Sequence, residues 1–235
     1  MFESIDNYCE RVGAAFWAEP LNAVTNLAFI LAAWLAWNMM QRLSAQSTGH
    51  RFLIAVLFSI GVGSFLFHTF ATGWAELADI IPILVFQTAF LWLYSREVIQ
   101  LGRPWAGLLM VAFFVLVVAG FQLKTLLGLS PDSPSPANGS EMYAGALVGV
   151  FTLALYHLLT DRVGRFTLLG AFALFCLSLG FRTLDMAFCS VWPVGTHFLW
   201  HLCNAAVLYL SIRALLLNSS GEPLPGEEYQ RRVSA

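Results

Sequence analysis

Three histidines, one aspartate and one serine are the residues through which this sequence can do chemistry. His197 and His201 lie four apart in THFLWHLCNAAVLYL (196–210). On a helix they share one face and can aim two imidazoles at one centre, as the paired histidines of a zinc-protease helix do. His68, near the end of GSFLFHTF (63–70), supplies a third. Three protein nitrogens with an open fourth position form the ligand set of a catalytic zinc, which brings a bound water to a pKa of about 7. Asp79 in ELADIIP (76–82) is the neighbouring carboxylate, either as a fourth ligand or as a general base one hydrogen bond from that water. Ser64, one turn before His68, can donate to an oxyanion or to a ligand, or satisfy itself on a backbone carbonyl.

These residues must be carried by elements that live in lipid. Of 235 residues, 58% are hydrophobic and 11% charged, which lies outside the composition of an ordinary soluble domain. A spanning helix needs roughly 20 mostly apolar residues, and the stretches 21–40, 52–71, 76–95, 104–123, 142–160, 166–185 and 197–217 each qualify. The fold expected is an all-α membrane protein, a bundle of seven transmembrane helices forming one domain over 1–217. Residues 1–20 carry Glu3, Asp6, Glu10 and Glu19 and read as a short amphipathic segment rather than a signal peptide. Residues 218–235 read as a polar cytoplasmic tail, and SPDSPSPANGS (130–140) as a linker with no packing capacity of its own.

Arg42, Arg51, Arg96, Arg103, Arg162, Arg165, Arg213, Arg231 and Arg232 fall on one side of such a bundle, and Arg11, Lys124 and Arg182 on the other. Nine against three places the N-terminus outside and the C-terminus in the cytoplasm. Ser64, His68, Glu76, Asp79, Arg182, Asp185, His197 and His201 then all lie in the outer half, where an intramembrane ionisable group is costly and marks a site. Asp185 can pair with Arg182, three residues away. His157 reads as a helix–helix hydrogen-bonding residue and His50 as an exposed loop residue. Cys9 and Cys189 both fall on the outer side, where an oxidising compartment permits pairing, although spacing alone does not establish it. A net charge of −2 gives no footprint for nucleic acid.

The order Ser64-x3-His68-x10-Asp79, followed far downstream by His197-x3-His201, resembles that of the alkaline ceramidases, within a superfamily of seven-helix membrane hydrolases that also takes in the adiponectin receptors. YCE (8–10), EPLNAVTN (19–26), LDMAFC (184–189) and HFLWH (197–201) are similar to further family segments, so the likeness runs over nearly the whole chain. The resemblance implies a zinc-dependent amidase with zinc on His68, His197 and His201, water activation by Asp79 and assistance from Ser64. It implies calcium on the N-terminal segment, at Glu10 and Glu19 with Asp6, Asn7 and the Tyr8 carbonyl, oxygen ligands that suit that ion. Asn7 stands where animal members carry aspartate, and the interval from Glu10 to Glu19 is shorter than theirs. The family also joins the cysteines matching Cys9 and Cys189.

The expectation is hydrolysis of the N-acyl bond of ceramide or a related membrane lipid, in a multi-pass protein of a membrane such as a bacterial inner membrane. Three alternatives stand beside it. The same scaffold can act on another acyl lipid, zinc can be structural in a receptor, or the His/Asp cluster can belong to a transporter. A transporter should carry polar residues on towards the other face, and in the sequence the inner halves of the spans look bare apart from His157.

Overall fold

The computed structural model describes residues 3–130, 135 and 137–219. Each of the seven apolar stretches is a helix long enough to cross a membrane: Pro20–Arg42, Thr48–Phe70, Gly73–Val98, Arg103–Phe121, Ser140–Leu159, Thr167–Phe188 and His197–Ser219, called here the first to seventh spans. Two of them begin three or more residues earlier than hydropathy alone suggests, and in the second span a polar cap is the reason. Ser47 Oγ accepts the His50 N–H at 3.0 Å, adding a turn before the apolar run. Thr72, in extended conformation, precedes the helix at Gly73. The first span is interrupted at Asn26, between helices Pro20–Thr25 and Leu27–Arg42, and the third ends in a π turn at Tyr94–Val98. The last runs two residues past the expected limit of 217. The remainder of the predicted tail, 220–235, lies outside the described residues.

Neighbour order around the bundle is fourth, fifth, sixth, seventh, first, second, third, and the ring closes only loosely between third and fourth. The second and seventh spans are the most enclosed, and they carry the three histidines. The other helices turn large apolar side chains such as Trp34, Val115 and Leu159 outward, as a lipid-facing surface requires. The main core joins Phe29, Leu57, Ile60, Phe86 and Leu215 between the first, second, third and seventh spans. Second and third spans approach closely at Gly63, where a Cβ would run into the Ala78 carbonyl. That approach brings Ser64 and Asp79, the next residues along each helix, onto a common interface.

The N-terminal segment lies across the end of the bundle where the second span stops. Ser4 forms an isolated antiparallel bridge with Thr72, and Ile5 N–H donates to the Ala71 carbonyl at 2.7 Å. Cys9 is disulfide-bonded to Cys189. The segment expected to have no packing capacity does pack where it is described: Asn138 Nδ2 donates to the Arg182 carbonyl at 3.0 Å, and Ser140 pairs with Thr183 at 2.9 Å. Its residues 131–134 and 136 lie outside the described residues.

At the opposite end, His50 corrects the expectation of exposure. It is 4% exposed, with Nδ1 on the Ala45 carbonyl at 2.6 Å and Nε2 on Glu97 at 2.8 Å. The added turn of the second span draws it into the helix start. His157 is the helix–helix residue expected, with Nδ1 on the Tyr94 hydroxyl at 2.6 Å and Nε2 shared between the Val163 and Gly164 carbonyls at 3.2 Å.

Gly63→Ala is expected to destabilise the protein by about 1–3 kcal/mol, the usual range for overpacking a tight contact. Gly170→Ala, where nothing lies near the added Cβ, should not. Thermal unfolding of both variants in detergent checks this, and equal midpoints would contradict the close approach.

Candidate metal centre

His68, His197 and His201 come together as expected. One ligand nitrogen from each lies within 4.8 Å of the others, and all three side chains are buried. The two enclosed spans make this possible. His68 stands in the last turn of the second, His197 opens the seventh, and His201 follows one turn later on the same face. His68 Nε2, His197 Nδ1 and His201 Nε2 are buried with no hydrogen-bond partner. A buried polar atom left unpaired costs free energy comparable to a lost hydrogen bond. Three converging on one point fit a cation that accepts nitrogen donors.

The other ring nitrogens explain why these atoms are left free. His68 Nδ1 meets Glu19 Oε2 at 2.6 Å, and a carboxylate there must accept, so the Nδ1–H donates and Nε2 keeps its lone pair. His201 Nδ1 meets Thr25 Oγ1 at 3.0 Å. The Thr25 hydroxyl proton is directed at the Leu21 and Asn22 carbonyls, so it accepts from Nδ1–H and leaves Nε2 as donor atom for a metal. Such outer partners fix tautomer and ring orientation at metal sites. His197 is held by stacking, on Tyr8 with ring centroids 3.7 Å apart and on Trp200 at 5.1 Å.

Asp79 and Ser64 border this triad. Ser64 faces the Asp79 carboxyl, and Asp79 lies within electrostatic reach of His68 and Arg182. Ser64 Oγ and Asp79 Oδ1 are nevertheless buried without a hydrogen-bond partner, so Ser64 does not satisfy itself on the backbone. Asp79 opens onto a cavity of about 790 Å³ lined also by Asp6, Asn7, Tyr8, Glu76 and Arg182. Along the third span this space gives way to two smaller apolar chambers of about 30 and 70 Å³, with Tyr143 lining all three. One end of the series is charged and the other is largely hydrocarbon, with Gln87, Asn204 and Ser211 as its neutral polar groups.

The acidic N-terminal residues are distributed differently from a shared ion site. Both Glu10 oxygens accept backbone N–H groups opening the first span, from Leu21 at 2.6 Å and Asn22 at 2.7 Å. Burial pushes the Glu10 carboxyl above its usual range despite those two bonds. Glu19 is 2% exposed and takes Arg11 on one oxygen, with His68 and the Asn22 amide on the other. Burial alone would raise Glu19, but His68, Asn22 and Arg11 outweigh it and hold the carboxyl below the usual range. Asp6 and Asn7 face the cavity.

Asp185 does not pair with Arg182. Its Oδ1 accepts the N–H groups of Thr196 at 2.6 Å and His197 at 2.9 Å, and its Oδ2 accepts that of Cys9 at 3.0 Å. A fully buried carboxylate thus satisfies two of the orphan donors at the head of the seventh span and ties them to the N-terminal segment. Gly195, at φ +68°, leaves room for it, since a Cβ there would strike the carboxylate. Arg182 instead donates to the Tyr8 hydroxyl at 2.9 Å and lies over the Tyr8, Tyr143 and Trp200 rings. Sequence reasoning missed the roles of Arg11, Thr25, Asp185 and the Tyr8 ring. A lone arginine among acidic residues at 3–19 was the available signal for Arg11; the others carry none in a single sequence.

With this geometry in place, the family model for Ceramidase matches residues 2–232. The chain belongs to the ceramidase family. The resemblance read in its short motifs is therefore confirmed, and the protein is a multi-pass membrane hydrolase of the ceramidase type. Comparison with curated proteins finds no match.

Tyr8 yields a pH prediction. Burial pushes its phenol from 10.0 up to about 12, against the pull of Arg182. The group stays neutral longer in the folded protein, so its contribution is complete below pH 10 and lost as pH rises towards 12. Two units correspond to about 3 kcal/mol. The stability advantage of the wild type over Tyr8→Phe should shrink across that window in unfolding midpoints taken from pH 8 to 12; an advantage independent of pH would contradict the burial of the phenol.

Proposed function

We propose that the ceramidase-type activity is a zinc-dependent amidase reaction at His68, His197 and His201, releasing a free fatty acid and a sphingoid-type amine from ceramide or a close relative. The convergence of three unpartnered ring nitrogens within electrostatic reach of Asp79, which itself lines the charged end of a series of cavities that becomes apolar, carries this reading. A substrate with a polar head and hydrocarbon tails fits that gradient, with its amide at the boundary.

Zinc bound there would act as a Lewis acid and bring a water it holds near neutrality. The protein's own groups do the rest. Asp79, with Oδ1 unpaired, accepts the proton of the attacking water and returns it to the amine nitrogen as the C–N bond breaks. Ser64 directs its hydroxyl to the oxygen that gains charge when the carbonyl carbon becomes tetrahedral. Glu19 and Thr25 hold His68 and His201 in the tautomers that leave Nε2 free, and enclosure by the second and seventh spans limits water to the reacting end. The disulfide between Cys9 and Cys189, at the end of the bundle that carries few basic residues, supports a site in the outer half of the membrane with the N-terminus outside and the C-terminus in the cytoplasm. A bacterial inner membrane meets those requirements.

The transporter alternative loses support from the opposite end of the bundle. Its histidines, His50 on Glu97 and His157 on Tyr94, are closed on local partners, and between them and the triad the chamber lining holds, among the described residues, only neutral polar side chains such as Gln87, Asn204 and Ser211.

Purified protein should contain about one zinc per chain and release fatty acid from ceramides in preference to O-acyl lipids. His201→Ala should lose zinc and turnover together. Asp79→Asn should keep zinc while losing turnover by at least 10²-fold, the order typical of a proton-transfer group. Zinc lost equally in both variants would make Asp79 a ligand, and folded, unstripped protein without zinc would overturn the mechanism.

A further inference from the structure

The calcium ion expected on the N-terminal segment does not fit the residues as they are arranged. Glu10 spends both oxygens on the first span, Glu19 spends both on Arg11, His68 and Asn22, and Asp6 and Asn7 face the cavity. Among the described residues, the only group of three His, Cys, Asp or Glu side chains placed to share an ion is the histidine triad.

A cation is nonetheless present there, and it is the protein's own. The Arg11 guanidinium, 5% exposed, donates from Nε to Glu19 Oε1, from one terminal nitrogen to the Gly13 carbonyl at 3.2 Å and from the other to the His68 carbonyl at 3.0 Å. Its partners are one carboxylate and two backbone carbonyls. An all-oxygen cradle of this kind suits a hard divalent ion. One of the carbonyls belongs to the last turn of the second span, where the helix dipole favours positive charge. The same Glu19 carboxylate holds His68 Nδ1 through its other oxygen. Arg11 thus fastens residues 11–13 to the end of the second span and fixes the carboxylate that orients a triad histidine.

We propose that Arg11 is a built-in cation standing where a divalent ion would otherwise tie the N-terminal segment to the bundle. This makes the protein independent of calcium and makes Arg11 a positioning residue for His68 through Glu19. The effect on zinc rests on the metal reading of the triad; the calcium independence does not.

The test uses the full chain in detergent. Zinc content, zinc retention against a graded chelator and the unfolding midpoint are measured with calcium removed by EGTA and with millimolar CaCl2, for wild type, Arg11→Lys and Arg11→Ala. Terbium luminescence serves as a direct probe of a calcium-type site. The wild type should show no stoichiometric terbium site and no response of midpoint or zinc content to calcium. Arg11→Ala should hold zinc about 10- to 100-fold more weakly, the usual cost of losing an outer partner of a ligand, and its midpoint should rise on adding calcium, which the opened cradle can accept. Arg11→Lys keeps the charge without the fork and should lie between them in zinc retention, still without a calcium response. A terbium site or a calcium-dependent midpoint in the wild type overturns the inference, even if Arg11→Ala fails to fold. Unchanged zinc retention in folded Arg11→Ala overturns the positioning role. Wild type that holds no zinc under any condition defeats the triad's metal reading instead and leaves the calcium result to stand by itself.

Discussion

Three imidazole nitrogens turned towards one another inside an apolar bundle are the constraint on which the rest of the architecture depends. An unpaired polar atom is expensive where there is no water to satisfy it, and three of them add their costs. A cation that takes all three as ligands would turn that cost into binding energy, and this is the physical ground for the metal proposed there. The two most enclosed helices carry the triad, and its outer partners, Glu19 and Thr25, are themselves buried or half-buried on the first span and just before it.

The N-terminal segment is accordingly part of the site rather than a leader to it. It contributes Tyr8 against His197, Glu19 against His68, and Arg11 as the clamp between Glu19 and the second span. Cys9 fastens it covalently to Cys189, and Asp185 bonds the Cys9 N–H with one oxygen and the head of the seventh span with the other. Ligand helices and covering segment are therefore coupled through a few buried charges. A surface loop crossing the same distance would gain little from such pairs, because exposed ion pairs contribute roughly 0–1 kcal/mol. Here burial makes each of them consequential.

What could be read before any coordinates follows the same physics. Seven spans and the triad were legible because hydropathy over about 20 residues and an i, i+4 histidine pair are local signals, and because charges are rare enough in lipid to be noticed. Ser64 and Asp79 were visible by depth, although their contact depends on a glycine, Gly63, whose role shows only when the Ala78 carbonyl lies against it. Partners were the least legible. Asp185 looked like a neighbour for Arg182 by spacing, yet it caps a helix that begins twelve residues later, and Arg182 turns to three aromatic rings. Glu10 and Glu19 read alike as oxygen ligands, but one caps a helix and the other is claimed by a histidine and an arginine. His50 appeared to sit in a loop because Ser47 starts the second span a turn earlier than its apolar residues do. In each case a single side chain chose between two local options through a contact distant in sequence, which composition and periodicity do not encode.

The central claim is that the three histidines form one zinc site. X-ray absorption at the zinc edge on the purified, unmodified protein addresses it most directly. The account predicts a first shell of nitrogen and oxygen only, at about 2.0–2.1 Å, with outer-shell scattering from three imidazoles. A sulfur shell near 2.3 Å, drawn from Cys176 or Cys203, or fewer than three imidazoles around zinc, would contradict it.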